Sequence, residues 1–389
     1  MSPDDLLRSL AGGAPYLNAS ALFARLGHWA LATIEAWEAA FNRSGLSASL
    51  VLFSAEASLF FLRSPMVRCL IQDLRDELNS TSHATSGGSA YERLACIVDL
   101  ELCNGNSSHI PGFTATQRGI VIGSFPLICE TWYPGLLPGA DNDRAYIHSL
   151  FQAKLSKLIA RNKCDLMTPS DEVLSTFFHI FADLALIAPE LLHDVIVNTR
   201  FITIFNLTTG EPCEVGTTAR SFTTGEIPMV SFFSPLTFHS YETAFEGLYH
   251  EAIHLKFLNT LPTYTIYRRD YDGTDNDRFE CGWPSTNLDG RAEWPFTRAL
   301  NAFHVYTHLS VLYCAVHHSG PRLKLRTNWV AERSEEALAR GESLRVWLDG
   351  RIGSVLAPPR PGILSCPPFA LFGGRTTMPF PANRVEVRR

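Results

Sequence analysis

Two histidines four residues apart, His250 and His254, enclose a glutamate in the run His250-Glu251-Ala252-Ile253-His254. An α-helix turns once every 3.6 residues, so this spacing sends both imidazoles from one face, one turn apart. Ring nitrogens placed in that way can share a divalent ion at about 2.0–2.2 Å. Glu251, on the turn between them, can reach a metal-bound water or orient a ligand histidine. The spacing predicts one divalent ion at His250 and His254, with metal-dependent chemistry there. The plainer alternative is a helical histidine pair that binds nothing. Phe245, Leu248, Tyr249, Leu255 and Phe257 around the motif supply the dry setting that suits an ion.

Two ligands do not complete a catalytic site, which usually has three protein ligands and open positions for water and substrate. The motif is followed by Leu255-Lys256-Phe257-Leu258-Asn259-Thr260, without the glycine and histidine of a metzincin extension. Glu280 and Glu293 are donors of the kind that zinc peptidases use, although Gly282, Pro284 and Pro295 beside them break helices. His304 and His308 are again four apart and share a face. Either can reach the ion if their helix packs antiparallel to the first. For each, a histidine satisfied by a backbone carbonyl is the alternative.

The elements that must position these groups follow from pattern and capping. The motif helix is expected over 240–259, with Ser240 as N-cap. A second ligand helix is expected over 296–317, with Pro295 in its first turn. The segments 201–207 and 229–233 read as strands. Helices are expected over 143–163 and 171–195, the latter capped by Ser170 with Asp171 and Glu172 in its first turn. Helical apolar patterns cover 4–45 and 50–78, and short strands or buried segments are expected at 95–102 and 119–125. The polar, glycine-bearing run 80–89 marks a boundary. Pro358, Pro359, Pro361, Pro367, Pro368, Pro379 and Pro381 make the end of the chain irregular. The expected fold is mainly α with a small β component (α+β), its metal site between two packed helices. Its parts are an N-terminal helical region (1–80), a catalytic region (90–355) and a Pro-rich tail (356–389).

Composition narrows the function classes. Hydrophobic residues make up 46% and charged residues 19% of 389, which suits a packed globular chain and not a disordered one. A net charge of −6 argues against a nucleic-acid partner. The acidic start lacks the basic and apolar regions of a signal peptide. The apolar stretches near 50–62 and 181–187, interrupted by Glu56, Ser58 and Asp183, are too short to span a bilayer. Nine cysteines, an odd number with no Cys-x-x-Cys pair, argue against a disulfide framework or a zinc ribbon. A cytoplasmic location with reduced thiols and no membrane partner is expected.

The stretch Leu248-Tyr249-His250-Glu251-Ala252-Ile253-His254-Leu255-Lys256-Phe257-Leu258 leads through a Trp/Pro/Arg-bearing linker to Ala302-Phe303-His304-Val305-Tyr306-Thr307-His308-Leu309-Ser310-Val311. Together they resemble the HExxH-motif peptide-modification proteins. Characterised members of that family are iron(II)- and 2-oxoglutarate-dependent β-hydroxylases of ribosomally made peptides. The resemblance covers about residues 171–318 and is specific around the two helices. It departs from the family in two places. The family's Trp-Arg-x-Asp-Pro-Arg-Pro segment survives only loosely in Arg291-Ala292-Glu293-Trp294-Pro295-Phe296-Thr297-Arg298, and His304 stands where a glycine is usual.

The match of Tyr306-Thr307-His308-Leu309-Ser310-Val311 to the family's second helix implies His308 as third ligand to Fe(II), with His250 and His254. It implies 2-oxoglutarate as co-substrate and a ribosomally synthesised precursor peptide as substrate, hydroxylated at a side-chain β-carbon. Three neutral imidazoles, Fe²⁺ and a doubly negative co-substrate would leave a neutral inner sphere, which a low-dielectric pocket accepts. The distal carboxylate of 2-oxoglutarate then needs a forked cation, for which Arg298 is the first candidate and Arg291 the second. Glu251 would orient a ligand or the substrate. The alternative is a zinc metallopeptidase, with Glu251 as general base and Glu280 or Glu293 as third ligand. A third possibility is a peptide-binding accessory protein that holds no metal.

Overall fold

The computed structural model describes residues 19–51, 65–79, 90–95, 119–122, 125–128, 163–167, 169–199, 201–208, 221–262, 267, 271, 278–283, 293–319, 324–351 and 355. In chain order these give α1 (Ala19–Phe41), α2 (Leu46–Val51), α3 (Pro65–Asn79), β1 (Gly119–Ile122), β2 (Phe125–Ile128), β3 (Lys163–Met167), α4 (Asp171–Ile187), α5 (Pro189–Asn198) and β4 (Phe201–Thr208). There follow β5 (Ser221–Thr224), β6 (Ile227–Phe233), a 3-10 turn (Pro235–His239), α6 (Tyr241–Thr260), β7 (Phe279–Glu280), β8 (Glu293–Trp294), α7 (Phe296–Ser319) and α8 (Thr327–Asp349). The fold is mainly helical with a small mixed sheet, as expected from the sequence. The run 80–89, the tail 356–389, nearly all of 143–163 and Arg291 lie outside the described residues.

Local chemistry sets the helix ends. The Ser170 hydroxyl accepts from the Val173 amide at 3.3 Å, with Asp171 and Glu172 in the first turn of α4. The helix expected over 171–195 is in fact two. Pro189 cannot supply the amide that would continue α4, and Ala188 before it has left the helical region (φ −156°, ψ 83°). Ser240 Oγ accepts from the Thr243 amide at 3.1 Å and fixes the start of α6. Pro295 stands one residue before α7 and caps it through its carbonyl, which accepts from the Arg298 and Ala299 amides at 3.0 Å.

The sheet runs β1-β2-β4-β6-β5, with β3 also paired to β4. β4 and β6 are parallel, while β5 and β6 form an antiparallel hairpin whose register shifts at Thr223/Thr224. Within that irregularity Met229 takes a left-handed φ of 66°. Every residue of β6 is buried. The motif helix α6 packs on β5 and β6 and is flanked by α5 and α7, and α8 lies along α7. Being enclosed on several sides, α6 is buried around most of its circumference.

The rear of α6 carries charge into this interior. Lys256 Nζ donates to Asp194 Oδ2 of α5 at 2.7 Å, and each side chain is only 2% exposed. One turn on, Asn259 Nδ2 donates to Asn198 Oδ1 at 3.1 Å, and Arg68 of α3 donates to Asn259 Oδ1 at 3.0 Å. Breaking a buried ion pair such as Lys256–Asp194 costs about 3–5 kcal/mol. Among the described residues no helix is long and apolar enough to cross a membrane.

Candidate metal centre

The Nε2 atoms of His250 and His254 lie 3.0 Å apart, with ring centroids separated by 4.7 Å. As the rings stand, one N–H donates to the other ring's lone pair, and a cation can replace that proton with little movement. Two nitrogens about 2.1 Å from one ion stand roughly 3.0 Å apart at an octahedral right angle and about 3.4 Å apart at a tetrahedral angle. The observed spacing is that of an N–H···N hydrogen bond, and it lies within a few tenths of an ångström of both arrangements.

Asn301 Oδ1 lies 2.9 Å from His254 Nδ1. His254 therefore donates from Nδ1 and turns the lone pair of Nε2 toward His250, the outer-partner arrangement typical of metal-ligating histidines. Both residues are largely buried, each keeping only a partial exposure. Burial lowers the His250 pKa to about 4, with the Arg333 charge adding to it. Burial also lowers His254 to about 3, helped by His250 and Arg298 and opposed by the bond to Asn301. Both imidazoles are neutral at physiological pH, the form that coordinates a metal.

The two α7 histidines face α6 but form a pair of their own. Their ring centroids are 4.5 Å apart. His308 is wholly buried and its Nδ1 lies 3.2 Å from Tyr249 Oη. The His304 ring meets Phe257 at 5.6 Å. Burial lowers the pKa of His304 to about 3 and holds His308 well below its ordinary value, with the Lys256 charge contributing to both. Both Nε2 atoms are buried without a hydrogen-bond partner. The histidines singled out in the sequence thus stand as two pairs on facing helices. Among the described residues no three His, Cys, Asp or Glu side chains are gathered closely enough to hold an ion as they stand.

Glu251 faces the sheet. Its Oε1 accepts from Ser221 Oγ of β5 at 2.7 Å, and its Oε2 is buried without a partner. Burial pushes its pKa up to about 7 against the hydrogen bonds from Ser221 and Thr223. Glu280 and Glu293 oppose each other across the β7–β8 ribbon, both exposed. Arg298 lies with its guanidinium 5.3 Å from the Trp294 ring centroid, close enough to His254 for its charge to be felt there.

Sequence reading missed three features of the site. Asn301 carries no metal signal of its own, although it lies three residues before His304 on the same helix face. Tyr249 passed as a core aromatic. Glu246 lies one turn before His250, so the stripe of 246, 250 and 254 could have exposed it. Arg333 Nε donates to Glu246 Oε2 at 2.6 Å, and Tyr313 donates to the same carboxylate.

A scan against models of known protein families gives no match, and a search among curated proteins gives none.

Proposed function

We propose that this protein is an iron(II)- and 2-oxoglutarate-dependent oxygenase that hydroxylates a side-chain β-carbon of a ribosomally made precursor peptide. The observation that carries the metal chemistry is the 3.0 Å approach of His250 and His254 Nε2, with the His254 tautomer set by Asn301. The oxygenase class and the peptide substrate rest on the resemblance of 248–258 and 302–311 to the HExxH-motif peptide-modification proteins.

The donor chemistry of the residues present suits such a centre once a third ligand joins the His250–His254 pair. His250 and His254 would hold the ion, and α7 offers two further imidazoles whose Nε2 atoms have no partner. When bound, iron with dioxygen and 2-oxoglutarate places one oxygen atom on the peptide carbon as a hydroxyl and the other in succinate, with loss of carbon dioxide. The chain's own task is to bind, orient and exclude water. Asn301 holds His254 in the coordinating tautomer. Phe257 and the buried body of α6 keep the rear of the site dry. Arg298 offers a guanidinium on the His254 side to an anionic co-substrate. Glu251, bonded to Ser221, fastens the motif helix to β5.

The zinc-peptidase alternative draws less support. Glu251 is engaged by Ser221 of the sheet, and Glu280 and Glu293 are exposed on the β7–β8 ribbon. The test is anaerobic addition of Fe(II) and 2-oxoglutarate, followed by oxygen and a candidate precursor peptide. A visible charge-transfer band and a peptide gain of one oxygen atom are expected. Peptide-bond cleavage with zinc, and no oxygen gain, would overturn the proposal.

A further inference from the structure

We infer that His304 supplies the third metal ligand, and that His308 is a positioning residue held by Tyr249. The inference rests on the metal centre proposed above and deepens it.

The first argument is register. α6 and α7 are joined by His254–Asn301, by Phe257–His304 and by Tyr249–His308. Asn301, His304 and His308 lie on one face of α7, at offsets of three and four. Asn301 already touches His254, and His304 is the next side chain along that face, against the 254–257 turn. His308 is a turn further on, beside Tyr249.

Access gives the second argument. His250, His254, Asn301 and His304 are partly exposed residues, whereas His308 is wholly buried, although Nε2 of His304 is itself covered and reaches the edge only when the ring turns. An ion that takes co-substrate and oxygen needs ligands at the edge of the protein matrix, not sealed within it.

Proton placement gives the third. A buried phenol must donate its hydrogen, and Tyr249 Oη has His308 Nδ1 at 3.2 Å. Donation there puts the His308 hydrogen on Nε2 and removes the lone pair an ion would need. Nε2 of His304 and of His308 are both buried without a partner, but with the His308 hydrogen on Nε2 only His304 can turn a lone pair from that atom to an ion. A buried polar atom left so is a standing cost that a ligand removes. His308 then buttresses the His304 ring, which meets it at 62°. Gathering the third donor requires His304 to turn about its own side-chain bonds, while the two helices stay joined at His254 and Asn301.

The test uses the full chain loaded with Co(II), with X-ray absorption to count imidazole ligands and chelator competition to measure affinity. Three imidazoles are expected in the wild type, in His308→Phe and in Tyr249→Phe. Two are expected in His304→Ala, with affinity lower by about a hundredfold. His304→Gln, which keeps the bulk of the side chain, should behave as His304→Ala. His304→Ala and His304→Gln together decide the matter even if His308→Phe does not fold. Three imidazoles and unchanged affinity in His304→Ala would overturn the inference and leave the metal centre standing, as would a count of two in Tyr249→Phe. Failure of the wild type to take up Co(II) would overturn both.

Discussion

His254 and Asn301 meet at 2.9 Å across the α6–α7 interface, and this contact sets which His254 nitrogen faces His250. Loss of the acceptor frees the ring to adopt the other tautomer. Asn301→Ala should lower Fe(II) or Co(II) affinity about 10–100-fold, and Asn301→Asp, which still accepts, should keep most of it. Chelator competition on the purified variants checks this.

Histidines that stay neutral when folded make the metal-free protein sensitive to acid. An unfolded imidazole takes up its proton near pH 6.5, whereas folded His250 does so near 4 and His254 and His304 near 3. The folded state binds fewer protons in that interval. Its stability should be full above pH 6.5 and fall as pH drops through the interval toward 4 and 3. Divalent metal competes for the same lone pairs and should push the loss to lower pH. Thermal unfolding with and without Co(II), from pH 8 to pH 4.5, measures both effects.

Glu251 works in the opposite direction. Its pKa rises from 4.5 to about 7 on folding, so its share of stability is full below 4.5 and is lost as pH rises through 7. Glu251→Gln keeps an acceptor for Ser221 and removes the buried charge. It should unfold at a higher temperature than wild type at pH 8 and show no such gain at pH 4.5. The same variant separates the two chemistries: hydroxylation should survive at a reduced rate, whereas hydrolysis by a general base would vanish.

Lys256 and Asp194 test the rear of the motif helix. Lys256→Met leaves a carboxylate buried and unpaired, so it should cost about 3–5 kcal/mol in denaturant unfolding. Replacing Asp194 with Leu in the same chain should recover most of that loss, because two buried charges are then removed together.

Some of this architecture could be read from the chain. Ser170 and Ser240 declared their helices, and the helix-spaced histidines located the two facing helices to within about two residues. α8 was not legible, for a physical reason. Its buried stripe is Val330, Ser334, Ala337, Gly341, Leu344 and Leu348, half of it small residues that let α7 approach closely but give no apolar signal. The division of 171–198 turned on Pro189, which periodicity alone passes over. Within the site, spacing along one helix was readable, since two histidines four apart must share a face. Contacts between helices were not: Asn301 to His254, Tyr249 to His308 and Lys256 to Asp194 join residues 47, 59 and 62 positions apart.

The ion pair and the amide chain behind α6 also constrain how this site can change. A helix held only by apolar contacts can roll about its axis with modest loss, carrying its front-facing side chains to new positions. Here a roll of one residue, about 100°, would drag the Lys256 ammonium off Asp194 and Asn259 off both Arg68 and Asn198. The helix is in effect keyed like a shaft. Mutational scanning should therefore find its two sides unequal in stability, with the histidine side tolerant of exchange and the keyed side intolerant of almost any.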